Sequence, residues 1–158
     1  MDPRQVEEKL AERTSGTLAA SVSRAVVRLM HEFTGRGPTR ARAIMNANSV
    51  LILLEDTLTR AELNLLGAGE SEAVVTMRRT YFAAMREQAS ATVAEITGRA
   101  VISMMADLDP DANMAIVFFA LERGPEDGAA ASTDGASAAS TDGASASMDG
   151  AGPDGQSA

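Results

Sequence analysis

The sequence predicts an α+β protein: a four-stranded antiparallel sheet made of two hairpins and packed on two longer helices, in the order α-ββ-α-α-ββ. Helical hydrophobic spacing at 17–33 and 71–97 indicates the long helices. Each is followed by short apolar runs, which favour paired strands because they are too brief for helices. We divide the chain into a helical N-terminal extension at 1–16, a single α+β domain at 17–122 and a disordered tail at 123–158.

The first helix carries one apolar stripe and ends at a glycine. Its apolar residues recur every three or four positions: Leu18, Val22, Val26, Leu29 and Phe33. The string Thr14-Ser15-Gly16 favours a break ahead of this stripe. Gly35 suits the left-handed position after a helix, and Pro38 prevents the helix from continuing.

The first hairpin is expected to pair residues 40–46 with residues 49–56. Asn46-Ala47-Asn48 supplies its turn, because asparagine tolerates a positive φ. Thr59 followed by Glu62 forms a capping-box pattern, which predicts a short helix over 60–66.

The second half is expected to repeat this plan with a long helix over 71–97 that has Ser71 as its N-cap and ends before Gly98. Its apolar face is predicted to hold Val74, Met77, Tyr81, Met85, Ala89 and Ile96. Three arginines are placed on its solvent side: Arg78, Arg79 and Arg86. A second hairpin is predicted to pair 100–107 with 113–121, and Asp109-Pro110-Asp111 is its turn.

A short string occurs twice, each time between a helix and a hairpin. Thr34-Gly35-Arg36 precedes the first hairpin and Thr97-Gly98-Arg99 precedes the second. One interpretation is an internal duplication with pseudo-two-fold symmetry. The alternative is coincidence, because a glycine that ends a helix is common.

Composition excludes several function classes. The 158 residues include no cysteine and a single histidine, His31, which excludes disulfides, thiolate nucleophiles and His-rich metal centres. Residues 124–158 hold six acidic residues and no basic ones, and so carry most of the net charge of −8. An acidic chain argues against a nucleic-acid partner.

No export signal or membrane span is visible in the sequence. The longest apolar run, at 114–121, is far shorter than the roughly 20 residues of a transmembrane helix. We therefore expect a cytoplasmic protein without direct membrane insertion. The tail, rich in Gly, Ala, Ser and Asp, buries too little apolar surface to fold.

The string Gly-Arg-Gly-Pro after the first helix is the strongest candidate site. Two glycines allow a tight turn, and Arg36 is suited to two-pronged binding of a phosphate or carboxylate. The alternative is a rigid turn in which Arg36 pairs with a nearby acid. The candidate partner- or anion-binding residues are Gly35, Arg36, Gly37, Pro38, Arg40 and Arg42.

Two other chemistry-bearing patterns are weaker. The string from Asp107 to Asn113 begins like a calcium loop, but Ala112 replaces the required Gly and Phe118 the bidentate Glu, which favours a polar hairpin turn. His31 lacks a recognisable nucleophile, so no catalytic residue is assigned. We expect a protein that is not an enzyme and needs no cofactor or metal.

Residues 17–122 resemble the MpsC-like family, formerly classed as a domain of unknown function. Four strings carry the resemblance: Phe33–Pro38, Leu58–Glu62, Glu95–Gly98 continuing into Val101–Ser103, and Asp107 followed by Phe118–Leu121. Arg60 stands where relatives have proline in Leu-Thr-Pro-Ala-Glu. The family's name implies a link to a sodium-translocating, membrane-potential-generating system, and hence possible membrane-protein partners.

The residues and the resemblance together predict a non-catalytic accessory or regulatory protein that acts by binding a partner. Arg36, Arg40 and Arg42 are expected to engage an acidic or anionic group. A homo-oligomer, most simply a dimer, is expected because a four-stranded sheet covered on one face leaves the other exposed. The alternative function is an anion- or metabolite-responsive regulator with its ligand at the Gly-Arg-Gly-Pro turn.

Overall fold

Three helices and four strands follow one another in the predicted order, α-ββ-α-α-ββ. Their bounds are α1 Pro3–Thr34, β1 Arg40–Asn46, β2 Ser49–Glu55, α2 Arg60–Gly67, α3 Ser71–Thr97, β3 Val101–Asp109 and β4 Met114–Leu121. The computed structural model describes residues 2–124. The predicted tail therefore lies outside the described residues from residue 125 onward.

The four strands form one antiparallel sheet in the order β1-β2-β4-β3. Alternate side chains of the two central strands are buried on the face that carries the helices, where α1 contacts β1 and α3 contacts β3. The buried apolar side chains on this inner face include Val50, Ile52, Leu54, Met104, Val117, Phe119 and Leu121. They pack against the buried stripes of α1 and α3, which confirms the predicted sheet-on-helices architecture.

The first helix is continuous through residues 14–16, where the sequence favoured a break. The hydroxyl groups of Thr14 and Thr17 each donate to the carbonyl oxygen four residues earlier, so these polar groups are satisfied inside the helix. Ser15 donates to the carbonyl oxygen of Met45 at 3.2 Å. That contact ties this part of α1 to the end of β1.

The third helix differs from the prediction at its start and on its buried face. Ser71 is already helical and Glu70 occupies the N-cap position without a side-chain cap. The buried positions recur with a spacing of three or four: Val74, Arg78, Phe82, Met85, Ala89 and Val93. Placing Arg78 on the solvent side was therefore wrong, because the residue lies in the middle of the core stripe.

The two halves of the domain repeat the same local arrangement. Gly35 and Gly98 both adopt left-handed conformations, with φ of 74° and 68°, and each donates its N–H to the carbonyl four residues before. The hydroxyl of the threonine before each glycine lies within hydrogen-bond distance of two carbonyl oxygens at matching positions. The arginine after each glycine donates to a backbone carbonyl beyond a strand. The strand order pairs the two hairpins through β2 and β4, which is the arrangement that an internal duplication predicts.

The opposite face of the sheet, here called the outer face, has no described helix against it. Exposed apolar side chains lie on all four strands of this face: Ile44, Leu51, Met105 and Ile116. Their exposed fractions run from 38% to 60%. The largest apolar patch on a protein surface is often an interaction site.

Candidate functional site

Arg36 is bound to the loop that joins β2 to α2. It donates from Nη2 to Oδ2 of Asp56 at 2.8 Å and from Nη1 to the carbonyl oxygen of Leu58 at 2.5 Å. Two of its donors are therefore engaged inside the chain, as the rigid-turn interpretation expects. The predicted ligand site at this turn would have to compete with Asp56 and Leu58 for the same guanidinium group.

The loop of residues 56–58 is held in place by the turn of the second hairpin. Asn113 accepts from the backbone N–H groups of Thr57 and Leu58 at 2.9 and 3.0 Å, and its amide donates to Oδ1 of Asp56 at 3.0 Å. Asp56 and Asn113 both have positive φ values, 54° and 50°. These contacts tie the end of β2 to the turn between β3 and β4.

A buried ion pair lies beneath this loop. Arg78 donates from Nε and Nη2 to the two carboxylate oxygens of Glu62 at 2.5 and 2.6 Å, and Nη2 also donates to the carbonyl oxygen of Thr57 at 2.6 Å. Arg78 is fully buried and Glu62 is 1% exposed. Glu62 also accepts from the backbone N–H of Thr59, which confirms the predicted capping box.

The side chains of Arg36, Asp56, Asn113, Glu62 and Arg78 form one hydrogen-bond network around the 56–58 loop, and this network links three elements. It joins the start of α2, the middle of α3 and the second hairpin, and two arginines supply its positive charge. Both carboxylates, Asp56 and Glu62, are occupied by arginine donors. We conclude that the network positions the loop and braces the Gly-Arg-Gly-Pro turn.

The acidity of Glu62 follows from two opposing effects. Burial raises the pKa of this carboxyl, but hydrogen bonds from Arg78 and Thr59 outweigh burial and hold the pKa below its ordinary value of 4.5. The unfolded chain therefore takes up this proton first as the pH falls. The stability that Glu62 contributes is fully present above its ordinary pKa and is lost as pH falls through the lower folded-state value.

We predict a difference in acid sensitivity between the wild-type chain and Glu62→Gln. The variant should be less stable at pH 7, because the ion pair is gone, and its stability should fall less between about pH 5 and pH 3. Urea unfolding followed by circular dichroism at several pH values measures both quantities. If the free energy of unfolding fell equally with pH in the two proteins across that range, the lowered pKa of Glu62 would be contradicted.

Arg40 and Arg42 lie on the outer face, as their alternation in a strand predicts. Arg40 stands opposite Glu55 in the strand register and is 3.7 Å from its carboxylate, with 74% of its side chain exposed. Arg42 stands opposite Leu53 and is exposed. Within residues 2–124 no ion pair involves Arg42.

His31 and Gly37 both lie at the end of α1 or against it. His31 is exposed in the last turn of α1. Gly37 packs close to Val27, so the turn folds back onto α1. In the part of the chain that the structure describes, no group of three or more His, Cys, Asp or Glu residues converges as metal ligands would.

The calcium-like string at Asp107–Asn113 is a hairpin turn. Asp109 accepts from the backbone N–H groups of Asp111 and Ala112 at 3.0 Å. Asn113 is committed to the 56–58 loop, as described above. These donors and acceptors serve the turn itself and its attachment to the loop.

The sequence does not identify two residues of the network, Asn113 and Arg78, as site residues. The sequence places Asn113 at the start of the last predicted strand and at the end of the calcium-like string, and its partners 55–57 residues away leave no local signal. Arg78 could have been found, because it stands four residues from both Val74 and Phe82. The strict spacing of the apolar stripe was the available signal.

Comparison with known proteins agrees with the strings noted in the sequence. The family model described as "Na+-translocating membrane potential-generating system (MpsC)" matches residues 14–123, which span the sheet, the candidate turn and the buried ion pair. No curated protein and no solved structure matches the chain. Within the described residues, no helix has both the length and the apolar character needed to cross a membrane. On the strength of a match over most of its length, this chain belongs to the MpsC family.

Proposed function

We propose that the protein is a non-catalytic accessory or regulatory component of a membrane-potential-generating system, acting in the cytoplasm by binding a membrane-protein partner. The observation that carries this proposal is the family match over residues 14–123, whose description names such a system. The buried network supports it, because Asp56 and Glu62 are both engaged by arginines that hold the loop. Surface recognition fits this arrangement better than turnover does.

The segment of residues 36–40 is the surface that we assign to the partner. Arg36 anchors its first part to the 56–58 loop, so the segment is ordered before binding and loses little entropy on association. Arg40 lies in the same segment. Among the arginines that form ion pairs in the described residues, it has the most exposed side chain. An acidic segment of the partner, on the cytoplasmic side of the membrane, is complementary to this charge.

Cells that lack the protein provide the direct test. We expect a deletion strain to show a reduced membrane potential, measured with a voltage-sensitive dye, and the wild-type chain to restore it. Arg40→Glu should restore it poorly, because the reversed charge repels an acidic partner. Arg13→Glu, an equal charge change at an exposed position of α1, should restore it fully.

Two results would overturn the proposal. One is an unchanged membrane potential in the deletion strain. The other is full restoration by Arg40→Glu at an expression level equal to that of the wild type, which would remove the segment from the mechanism.

A further inference from the structure

The outer face is organised as rows that run across the four strands. The strand register places Arg42, Leu53, Ile116 and Asp107 side by side in one row, in the order β1, β2, β4, β3. The next row is apolar throughout: Ile44, Leu51, Phe118 and Met105. A cation therefore marks one edge of the face, a carboxylate marks the other, and the centre is apolar.

The charges at the two edges are available for an intermolecular contact. Arg42 is exposed and has no ion-pair partner in the described part of the chain. Asp107 is more than half exposed, and its contact with Arg79 is long, at 3.4 Å. An exposed pair at that distance contributes little to stability, so its rearrangement costs little.

We propose that the outer face is the contact between two copies of this chain, related by a two-fold axis parallel to the strands. Such an axis lays β1 of one copy over β3 of its partner and β2 over β4. Arg42 then meets Asp107 of the partner subunit, and the pairing occurs twice by symmetry. Leu51 and Leu53 meet the apolar side chains of the partner's β4.

The shape of the face agrees with this pairing. A shallow groove of about 490 Å³ lies on the β4–β3 side and is lined by Leu51, Met105, Ala106, Asp107, Ile116 and Phe118. Ile44, which is 60% exposed on β1, lies over this side of the partner under the proposed axis. Burial of such a side chain in an apolar groove is a common source of association free energy.

Charge complementarity selects this axis over the other face-to-face arrangement. In that arrangement the two-fold axis lies between the sheets and runs across the strands. Each strand would then lie over the same strand of the partner, and the order of the rows would be reversed. Arg42 would then lie against the apolar row of the partner, and its charge would be buried without a counter-ion. The same complementarity favours a second copy as the occupant, because this face carries both members of the ion pair.

The small area of the face favours a weak, reversible contact. Seven residues along four strands measure roughly 24 by 19 Å, so each copy offers about 450 Å², below the ~800 Å² per partner of a standard interface. We therefore expect a dimer with a dissociation constant in the micromolar range. The contact goes beyond the proposed function and does not depend on it, because purified protein alone tests it.

Charge-swap variants test the proposal by sedimentation velocity over about 1–200 µM protein. The wild-type chain should form a dimer, and Arg42→Glu and Asp107→Arg should each weaken it by about tenfold or more, because like charges then meet twice. An equimolar mixture of the two variants should dimerise again, since every pair in the mixed dimer is opposite in charge. The double variant in one chain should recover for the same reason.

Arg28→Glu, on the exposed side of α1, is the matched control and should leave the dimer unchanged. Circular dichroism confirms that each variant is folded. A wild-type chain that stays monomeric over the whole range would overturn the proposal. So would a mixture that fails to regain the dimer when both single variants have lost it.

Discussion

Arg78→Met should lower the free energy of unfolding by about 3–5 kcal/mol, since Glu62 then stays buried without a counter-ion. The carbonyl oxygen of Thr57 also loses its arginine donor. A loss of this size is a large fraction of the roughly 5–15 kcal/mol that stabilises a typical domain. Urea unfolding followed by circular dichroism gives the value.

The neighbouring arginine provides the control. Arg79→Met makes the same chemical change at a side chain that is 64% exposed, so its effect should stay within about 0.5 kcal/mol. Adding Glu62→Gln to Arg78→Met should recover part of the loss, because the buried charge is removed while the amide still caps α2. Equal losses at positions 78 and 79 would refute the buried-pair account.

Replacing Asn113 by alanine should cost about 2–5 kcal/mol, because the N–H groups of Thr57 and Leu58 lose their acceptor in a buried position. The amide donor to Asp56 disappears as well. The 56–58 loop should consequently loosen, and Arg36 with it. The midpoint of thermal unfolding and amide hydrogen exchange at residues 57 and 58 measure the two effects.

Two further variants separate the causes of that loss. Asn113→Gly removes the side chain but suits the positive φ of 50°, so it isolates the lost hydrogen bonds from backbone strain. Asn64→Ala, at an exposed position of α2, should have little effect. A stable Asn113→Gly variant with protected amides at 57 and 58 would show that the hydrogen bonds contribute little.

Local signals predict most of the fold because they act over a few residues. Gly35 and Gly98 end their helices as expected, and the Thr59–Glu62 capping box starts α2 at Arg60. The apolar runs of β2 and β4 are too short for helices, which identifies them as strands. In the structure their side chains alternate between the inner and outer faces. These effects need no knowledge of what packs against each element.

The main error arises where a tertiary partner overrides the local pattern. Arg78 is charged, and a charge is normally assigned to solvent, yet Glu62 compensates it in the core. Ser71 is a good N-cap by type, but the backbone enters the helix one residue earlier. For Arg78 the deciding interaction involves a residue of α2, which the pattern of α3 alone does not contain.

In the candidate site, too, the sequence predicts the local features but not the tertiary partners. The Gly-Arg-Gly-Pro turn was identifiable from residue types alone, whereas the partners of Arg36 are 20 and 22 residues away in the chain. The row that joins Arg42 to Asp107 depends on three strand pairings. Such a row becomes visible only when the sheet order and register are known.

Cross-linking across the outer face tests the proposed assembly most directly. The natural chain has no cysteine, so Arg42→Cys in one chain and Asp107→Cys in another introduce a single thiol each. In the proposed dimer these positions face each other across about 10 Å, whereas two copies of position 42 lie about 17 Å apart.

A bis-maleimide that spans about 8 Å should therefore join the two different chains in the mixture and leave each variant alone largely unlinked. Equal cross-linking in the mixture and in each single variant would contradict the proposed axis. No cross-linking in the mixture at concentrations where the wild-type chain is dimeric would place the contact elsewhere.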